Sequence, residues 1–216
     1  MNAHLTLDHL VCTVPDVRIG SAVLGTALGI TPTAGGSHPD LGTCNVLLSL
    51  GAGQYLELLG PDPAATHQGP MALRAASRSG PDICTFAVVT NDIDALAEMA
   101  RAQGLEVRGP VAGSRRDPTG VLLRWRILYL VSAEFKGLVP FVIDWLDTPH
   151  PSLTATRGVQ LQSMVVTHPR PHVLSALYAA LGLEMTVHHG LRGAIIATLV
   201  SGERVSTWVG SAEGLP

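Results

Sequence analysis

Two ionisable side chains stand inside apolar, strand-like stretches of the N-terminal half. His9 belongs to LTLDHLVCTV and Glu57 to QYLELLG. Because the side chains of a strand alternate between its two faces, Glu57 shares a face with Tyr55 and Leu59. An unpaired carboxylate in such surroundings is energetically costly, which favours a functional role. We predict that His9 and Glu57 face one cavity as catalytic residues, with Glu57 accepting a proton.

The arginines Arg124 and Arg126 lie on a further apolar stretch, VLLRWRILYL. They share a face of the predicted strand, while Trp125 is on the other face and is expected in the core, as is Trp145. If the arginine face is the concave one, two guanidinium groups bind the carboxylate or carbonyl group of a small compound.

Other residues are predicted to contact the substrate or the solvent. Asn45 can offer its amide to a ligand, His38 lies on a loop at the cavity rim, and Thr85 lines the cavity. Arg115 and Arg116 belong to GSRRDPTG, which has turn composition, so both are expected in an exposed, solvated turn.

Three segments share one plan of an apolar strand, a helix, a closing glycine and further strands. The closing glycines are Gly29, Gly104 and Gly182, so the intervals are 75 (104 minus 29) and 78 (182 minus 104) residues. This repetition predicts an α+β fold of βαβββ modules. The expected domains are 1–149, composed of modules 1–80 and 81–149, and a third, partial βαβββ-like module at 157–216.

These features resemble those of a known superfamily. Repeated βαβββ units with His early in the first strand and Glu in the last strand resemble the vicinal oxygen chelate superfamily, which includes glyoxalase I and the extradiol dioxygenases. The runs LDHLVCTVPD, GGSHPDLGTCN, YLELLGPDP, RRDPTGVLLRW and PFVIDW are similar to the glyoxalase-like domain group, over about residues 5–149. The resemblance implies that two units pair into a curved, mixed sheet whose concave face holds the site.

The resemblance also implies four positions for a metal ion, His9, Glu57, Thr85 and Asp144. Thr85 stands where a histidine is expected, which leaves His9, Glu57 and Asp144 as ligands for one divalent ion. Two interpretations stay open: a metal-assisted centre, or an arginine-lined pocket in which the carboxylates form ion pairs instead.

The predicted function is proton transfer on a small carbonyl-bearing or anionic metabolite, of a lyase, isomerase or dioxygenase type. The alternatives are a protein that binds or sequesters a small molecule without catalysis, and a structural module. The net charge of −3 offers no basic surface for nucleic acid, and arginines interrupt the longest apolar run, which argues against a membrane span. We expect a soluble, cytoplasmic protein whose third module extends the sheet, covers an edge or supports a homodimer.

Overall fold

The computed structural model describes residues 5–90, 92–117 and 119–214. Over these residues, the strands and α-helices follow one another in this order: β1 (Thr6–Thr13), α1 (Val17–Leu28), β2 (Thr33–His38), β3 (Thr43–Gly51), β4 (Gln54–Pro61), α2 (Pro70–Ala76), β5 (Asp82–Val89), α3 (Ile93–Ala102), β6 (Glu106–Arg116), β7 (Leu122–Val131), β8 (Phe141–Asp144), β9 (Gln160–His168), α4 (Pro171–Leu181), β10 (Val187–His189), β11 (Ala194–Ser201) and β12 (Arg204–Gly210).

The first two βαβββ units form one eight-stranded sheet in the order β2-β3-β4-β1-β5-β8-β7-β6. In each unit the last strand pairs in parallel with the first, β4 with β1 and β8 with β5, and the antiparallel pair of β1 and β5 joins the units. The predicted α+β fold with a curved mixed sheet is confirmed.

The helices begin and end largely where the sequence indicates. Asp16 caps α1 by accepting a hydrogen bond from the Arg18 backbone, and Gly29 ends this helix with a φ of 72°. Asp92 caps α3 by accepting a hydrogen bond from the Ala95 N–H.

The third segment has the predicted succession of elements but a different pairing. Its four strands form a separate sheet in the order β10-β9-β11-β12, so the first strand pairs with the third and not with the last. The short β10 spans only Val187–His189 and lies parallel to β9. The third segment is therefore not a repeat of the topology of the first two.

The main core lies on the convex side of the large sheet. Leu10 and Leu58 of this sheet pack in one buried cluster with Leu24 of α1, Tyr178 of α4 and Ile195 of β11. Because all three segments contribute to this cluster, the opposite, concave face of the sheet is left to line a cavity.

The two edge strands of the large sheet approach one another. The Arg115 Nη1 of β6 donates to the Gly35 carbonyl of β2 at 2.7 Å. A Cβ on Gly36 would lie 2.6 Å from the Arg116 carbonyl oxygen, so only glycine permits this approach. The curl of the sheet thus encloses the concave face. No helix among the described residues is long and apolar enough to cross a membrane.

Candidate active site

A cavity of about 920 Å³ lies on the concave face of the large sheet. Its volume is in the range of sites that hold small organic ligands. The protein has nine Phe, Tyr and Trp residues (three of each), and five of them line this cavity: Tyr55, Trp125, Tyr129, Phe141 and Trp145. His9 and Glu57 lie on the same wall. The cavity therefore combines aromatic walls with a small ionisable cluster.

A β-bulge in β1 places Asp8 beside His9. The pairing of β1 with β5 moves from Leu7 opposite Val88 to His9 opposite Ala87, which leaves Asp8 as the extra residue. The Asp8 Oδ1 then lies 2.5 Å from the His9 Nδ1, although strict alternation would separate these side chains.

The Asp8 carboxylate is buried, with 3% of the residue exposed, and has two further hydrogen-bond partners. The Trp145 Nε1 donates to Oδ2 at 3.0 Å, and the His150 Nε2 lies 3.1 Å from the same oxygen. Burial opposes ionisation, but the hydrogen bonds from His150 and His9 outweigh it and hold the pKa of Asp8 well below its usual range. Asp8 is thus ionised at neutral pH, and it orients His9 with Nδ1 protonated.

Glu57 faces the other ring nitrogen of His9. The distance from the His9 Nε2 to the Glu57 Oε2 is 3.8 Å, and Asn45 Nδ2 donates to the Glu57 Oε1 at 2.5 Å. The His9 ring stacks on Tyr55 with centroids 4.4 Å apart, which fixes its plane. An imidazole nitrogen and a carboxylate oxygen are therefore held side by side at the cavity surface.

The structure places the predicted substrate-contact residues His38, Asn45 and Thr85 in the cavity wall. His38 is the last residue of β2 and not part of a loop, and its Nδ1 lies 3.1 Å from the Thr43 Oγ1. Burial lowers the pKa of His38, an effect that Glu57 opposes and Arg115 reinforces. His38 is therefore neutral at neutral pH and suited to hydrogen bonding.

The predictions for Arg124, Arg126 and Asp144 are corrected by the structure, because none of the three lines the cavity. The alternation on β7 turns Trp125 and Tyr129 inward and the two arginines outward. There, the Arg126 Nη2 forms an ion pair with the Asp144 Oδ2 at 2.6 Å. Trp125 and Trp145, expected in the core, line the cavity instead.

Arg115 is also corrected, in the opposite direction. Strand β6 continues through Arg116, so the stretch expected to be an exposed turn is paired with β7. Arg115 lines the cavity and is 6% exposed. A buried cation thus replaces the predicted pair of arginines.

The residues present do not fit the implied divalent metal site. Glu57 lies opposite Val11, which is two residues after His9. In the second unit, Phe141 lies opposite Ala87, which is two residues after Thr85. Phe141 therefore stands where the second carboxylate was expected, and Asp144 is on the other face. The described residues contain no group of three or more His, Cys, Asp or Glu side chains arranged to hold a metal. The ligand set His9, Glu57 and Asp144 is wrong, because these residues cannot share one ion.

Sequence reasoning missed Asp8, His150 and the aromatic lining. The DH dipeptide places Asp8 next to His9 in sequence, but period-two alternation assigns it to the opposite face, and only the bulge reverses this. His150 lies far along the chain, in a Pro-rich connection whose composition shows no partner.

Comparison with known proteins agrees with this architecture. A family model described as a glyoxalase-like domain matches residues 7–182. A hypothetical protein from Staphylococcus aureus has a TM-score of 0.60 at 16% identity, over 96% of this chain and 86% of its own. A mutant of 4-hydroxymandelate synthase from Streptomyces coelicolor gives 0.57 at 18% identity, over 97% and 63%.

Methylmalonyl-CoA epimerase from Mycobacterium tuberculosis gives a TM-score of 0.48 at 23% identity, over 68% of this chain and 90% of its own. No curated protein gives a significant match to the sequence. The two structures with TM-scores of 0.60 and 0.57, at 16% and 18% identity, show a shared fold and leave the chemistry to the site itself. The match over residues 7–182 establishes that the chain belongs to the glyoxalase-like domain family.

Proposed function

We propose that this protein is an enzyme that transfers a proton at a carbon next to a carbonyl group of a small organic substrate. The observation that supports this most directly is the His9 Nε2 and Glu57 Oε2 pair, 3.8 Å apart at the cavity wall, with Asp8 on the far side of the imidazole. A base and an acid held beside one another can act on the C–H and on the carbonyl oxygen of one substrate.

Glu57 is the base in this proposal. Its carboxylate takes the proton from carbon, and the Asn45 amide, which donates to the other oxygen, keeps Glu57 aimed at the cavity. The electron pair of the broken C–H bond moves onto the carbonyl oxygen. His9, when it carries a proton on Nε2 as well as on Nδ1, donates a hydrogen bond from Nε2 to that oxygen, and the ionised Asp8 stabilises the imidazolium. Glu57 then returns its proton to the carbon as the electron pair moves back from the oxygen, and His9 keeps both of its protons.

A second candidate is a protein that binds a small molecule without reaction. The observation that favours it is the concentration of aromatic side chains in the cavity, since stacking on such walls binds flat or apolar ligands. The two functions share the cavity and differ in whether Glu57 accepts a proton.

Proton exchange distinguishes these candidates without knowledge of the net reaction. The protein is incubated in D₂O with a panel of 2-oxo acids, aldehydes and ketones, and NMR follows the loss of C–H signals. Wild type should accelerate exchange for a subset of the panel. Glu57→Gln should lower that rate by about 10²- to 10⁴-fold, because it removes the general base.

Ligand binding is the control for this variant. Trp125 and Trp145 line the cavity, so ligand binding should change their fluorescence in Glu57→Gln as in wild type. Binding without any catalysed exchange in wild type contradicts the enzymatic proposal and supports the binding function. Exchange that persists undiminished in Glu57→Gln contradicts the assignment of Glu57 as base.

A further inference from the structure

Arg115 is a buried cation with unused hydrogen-bond donors. A guanidinium group has five N–H donors, and in Arg115 one of them, on Nη1, reaches the Gly35 carbonyl. Among the described residues, no carboxylate lies within ion-pair distance of Arg115. A buried charge without a counterion is costly, so this position calls for an anion from outside the protein.

A second donor, Trp125, lies diagonally from Arg115 on the neighbouring strand β7. Trp125 pairs with Gly113, which shares the face of Arg115 two residues away. A Cβ on Gly113 would lie 2.4 Å from the Trp125 Nε1, so the glycine makes room for the indole. The Trp125 Nε1 has no protein acceptor among the described residues, and both side chains line the cavity.

The proposed anion subsite lies close to the proposed base. Arg115 donates to the Gly35 carbonyl, and Gly35 packs directly against the Asn45 amide, where a Cβ would lie 2.1 Å from the Asn45 Oδ1. Asn45 in turn donates to Glu57. A single chain of contacts, Arg115 to Gly35 to Asn45 to Glu57, therefore connects the cation with the carboxylate.

Three other cations line the cavity, and each differs from Arg115. Arg108 forms an ion pair with Glu106 at 2.6 Å, Arg74 donates to the carbonyls of Glu213 and Gly214, and Lys136 is exposed to solvent. One guanidinium with a free edge matches a planar carboxylate, which it can bind with two parallel hydrogen bonds. A phosphate would be better served by several cations or a helix N-terminus.

We propose that the cavity takes a carboxylate-bearing compound with an apolar or aromatic body, and that Arg115 and the Trp125 N–H bind its carboxylate. The carboxylate would bind in the same cavity as the His9 and Glu57 pair. That such a compound is the substrate rests on the proposed function, whereas its binding to the cavity does not.

The test uses pairs of compounds that differ only in charge: phenylacetate with phenylacetamide, and 4-methylpentanoate with 4-methylpentanamide. Fluorescence of Trp125 and Trp145 and calorimetry report binding. Wild type should bind each acid at least about tenfold more tightly than its amide, since hydrogen bonds to charged groups are the stronger ones. Arg115→Gln should abolish the preference, and Arg115→Lys should retain part of it.

Arg116→Gln is the matched control, because Arg116 is the exposed neighbour and donates to the Gly120 carbonyl. It should leave the preference unchanged. Equal binding of acid and amide by wild type, or no binding of either acid, overturns the proposal, and neither result depends on the stability of a variant. Acid-selective binding without proton exchange overturns the proposed function alone, whereas catalysed exchange without acid preference overturns this inference alone.

Discussion

At the scale of single residues, the candidate site depends on the hydrogen-bond partner of each buried polar atom. Asp8 has no direct place in the cavity wall, yet it determines which nitrogen of His9 faces Glu57. Both Asp8 oxygens accept hydrogen bonds, one from His9 and the other from Trp145 and His150. A carboxylate, with acceptors only, suits this arrangement, whereas an amide does not.

Asp8→Asn tests this role. If the amide nitrogen turns to His9, the ring must accept at Nδ1 and carry its proton at Nε2; if it turns the other way, the Trp145 N–H loses its acceptor. We expect ¹⁵N NMR to show loss of the Nδ1-protonated form of His9, and proton exchange to fall by about 10- to 100-fold. Asp144→Asn, which changes a carboxylate on the outer face, should do neither. An unchanged His9 tautomer together with undiminished proton exchange in Asp8→Asn would contradict the assigned role.

The same residue gives stability a pH dependence. The pKa of Asp8 is lower in the folded protein than in the unfolded chain, so Asp8 stabilises the fold above the unfolded pKa of about 3.9. This contribution is lost as the pH falls through the folded pKa. In urea unfolding, the free-energy difference between wild type and Asp8→Asn should therefore be constant near neutrality and shrink below about pH 4.

At the scale of elements, the sequence predicted which side chains share a strand face better than it predicted which face points into the cavity. The β7 pattern correctly groups Arg124 with Arg126 and Trp125 with Tyr129, but the choice between them depends on the curvature of the whole sheet. The β1 bulge could not be predicted from residue types, since neither Asp8 nor His9 is a residue that requires an unusual backbone conformation. The length of β6 was missed because turn-forming residues there are overridden by pairing with β7.

The contact between the edge strands makes a prediction about β2. An alanine at Gly36 would place its Cβ 2.6 Å from the Arg116 carbonyl oxygen and 3.3 Å from the Arg115 side chain. Gly36→Ala should force β2 and β6 apart, which lowers the free energy of unfolding by about 1–3 kcal/mol and weakens binding of carboxylates. Chemical denaturation and the fluorescence titration measure these two effects.

Gly80→Ala is the control for that substitution. Gly80 lies outside the strands, and a Cβ there meets no atom within 4 Å, so the change in stability should stay within about 0.5 kcal/mol. Equal effects of the two substitutions would show that the contact between β2 and β6 does not constrain Gly36.

At the scale of the whole molecule, the third segment takes part in the cavity. Beyond β12, Ser211 N donates to the Asp82 Oδ1 at 2.6 Å, and Gly214 N donates to the Cys84 carbonyl at 2.9 Å. Glu213 and Gly214 then line the cavity. The division into 1–149 and 157–216 stays a prediction, but the family match extends beyond it to residue 182, and the core is shared.

The shared core predicts that the three segments unfold as one unit, and Tyr178 offers the test. Its hydroxyl, on α4, donates to the Leu138 carbonyl in the second unit at 2.5 Å. Tyr178→Phe should therefore lower the free energy of unfolding by about 1–2 kcal/mol. Two fluorescence probes can follow unfolding. In a Trp125→Phe/Trp145→Phe background the signal comes from Trp208 of β12, and in a Trp208→Phe background it comes from the two cavity tryptophans. The effect of Tyr178→Phe should be the same with both probes. Tyr129→Phe removes a hydroxyl away from this junction and should cost less. A shift confined to the Trp208 transition would show instead that the third segment is an independent folding unit.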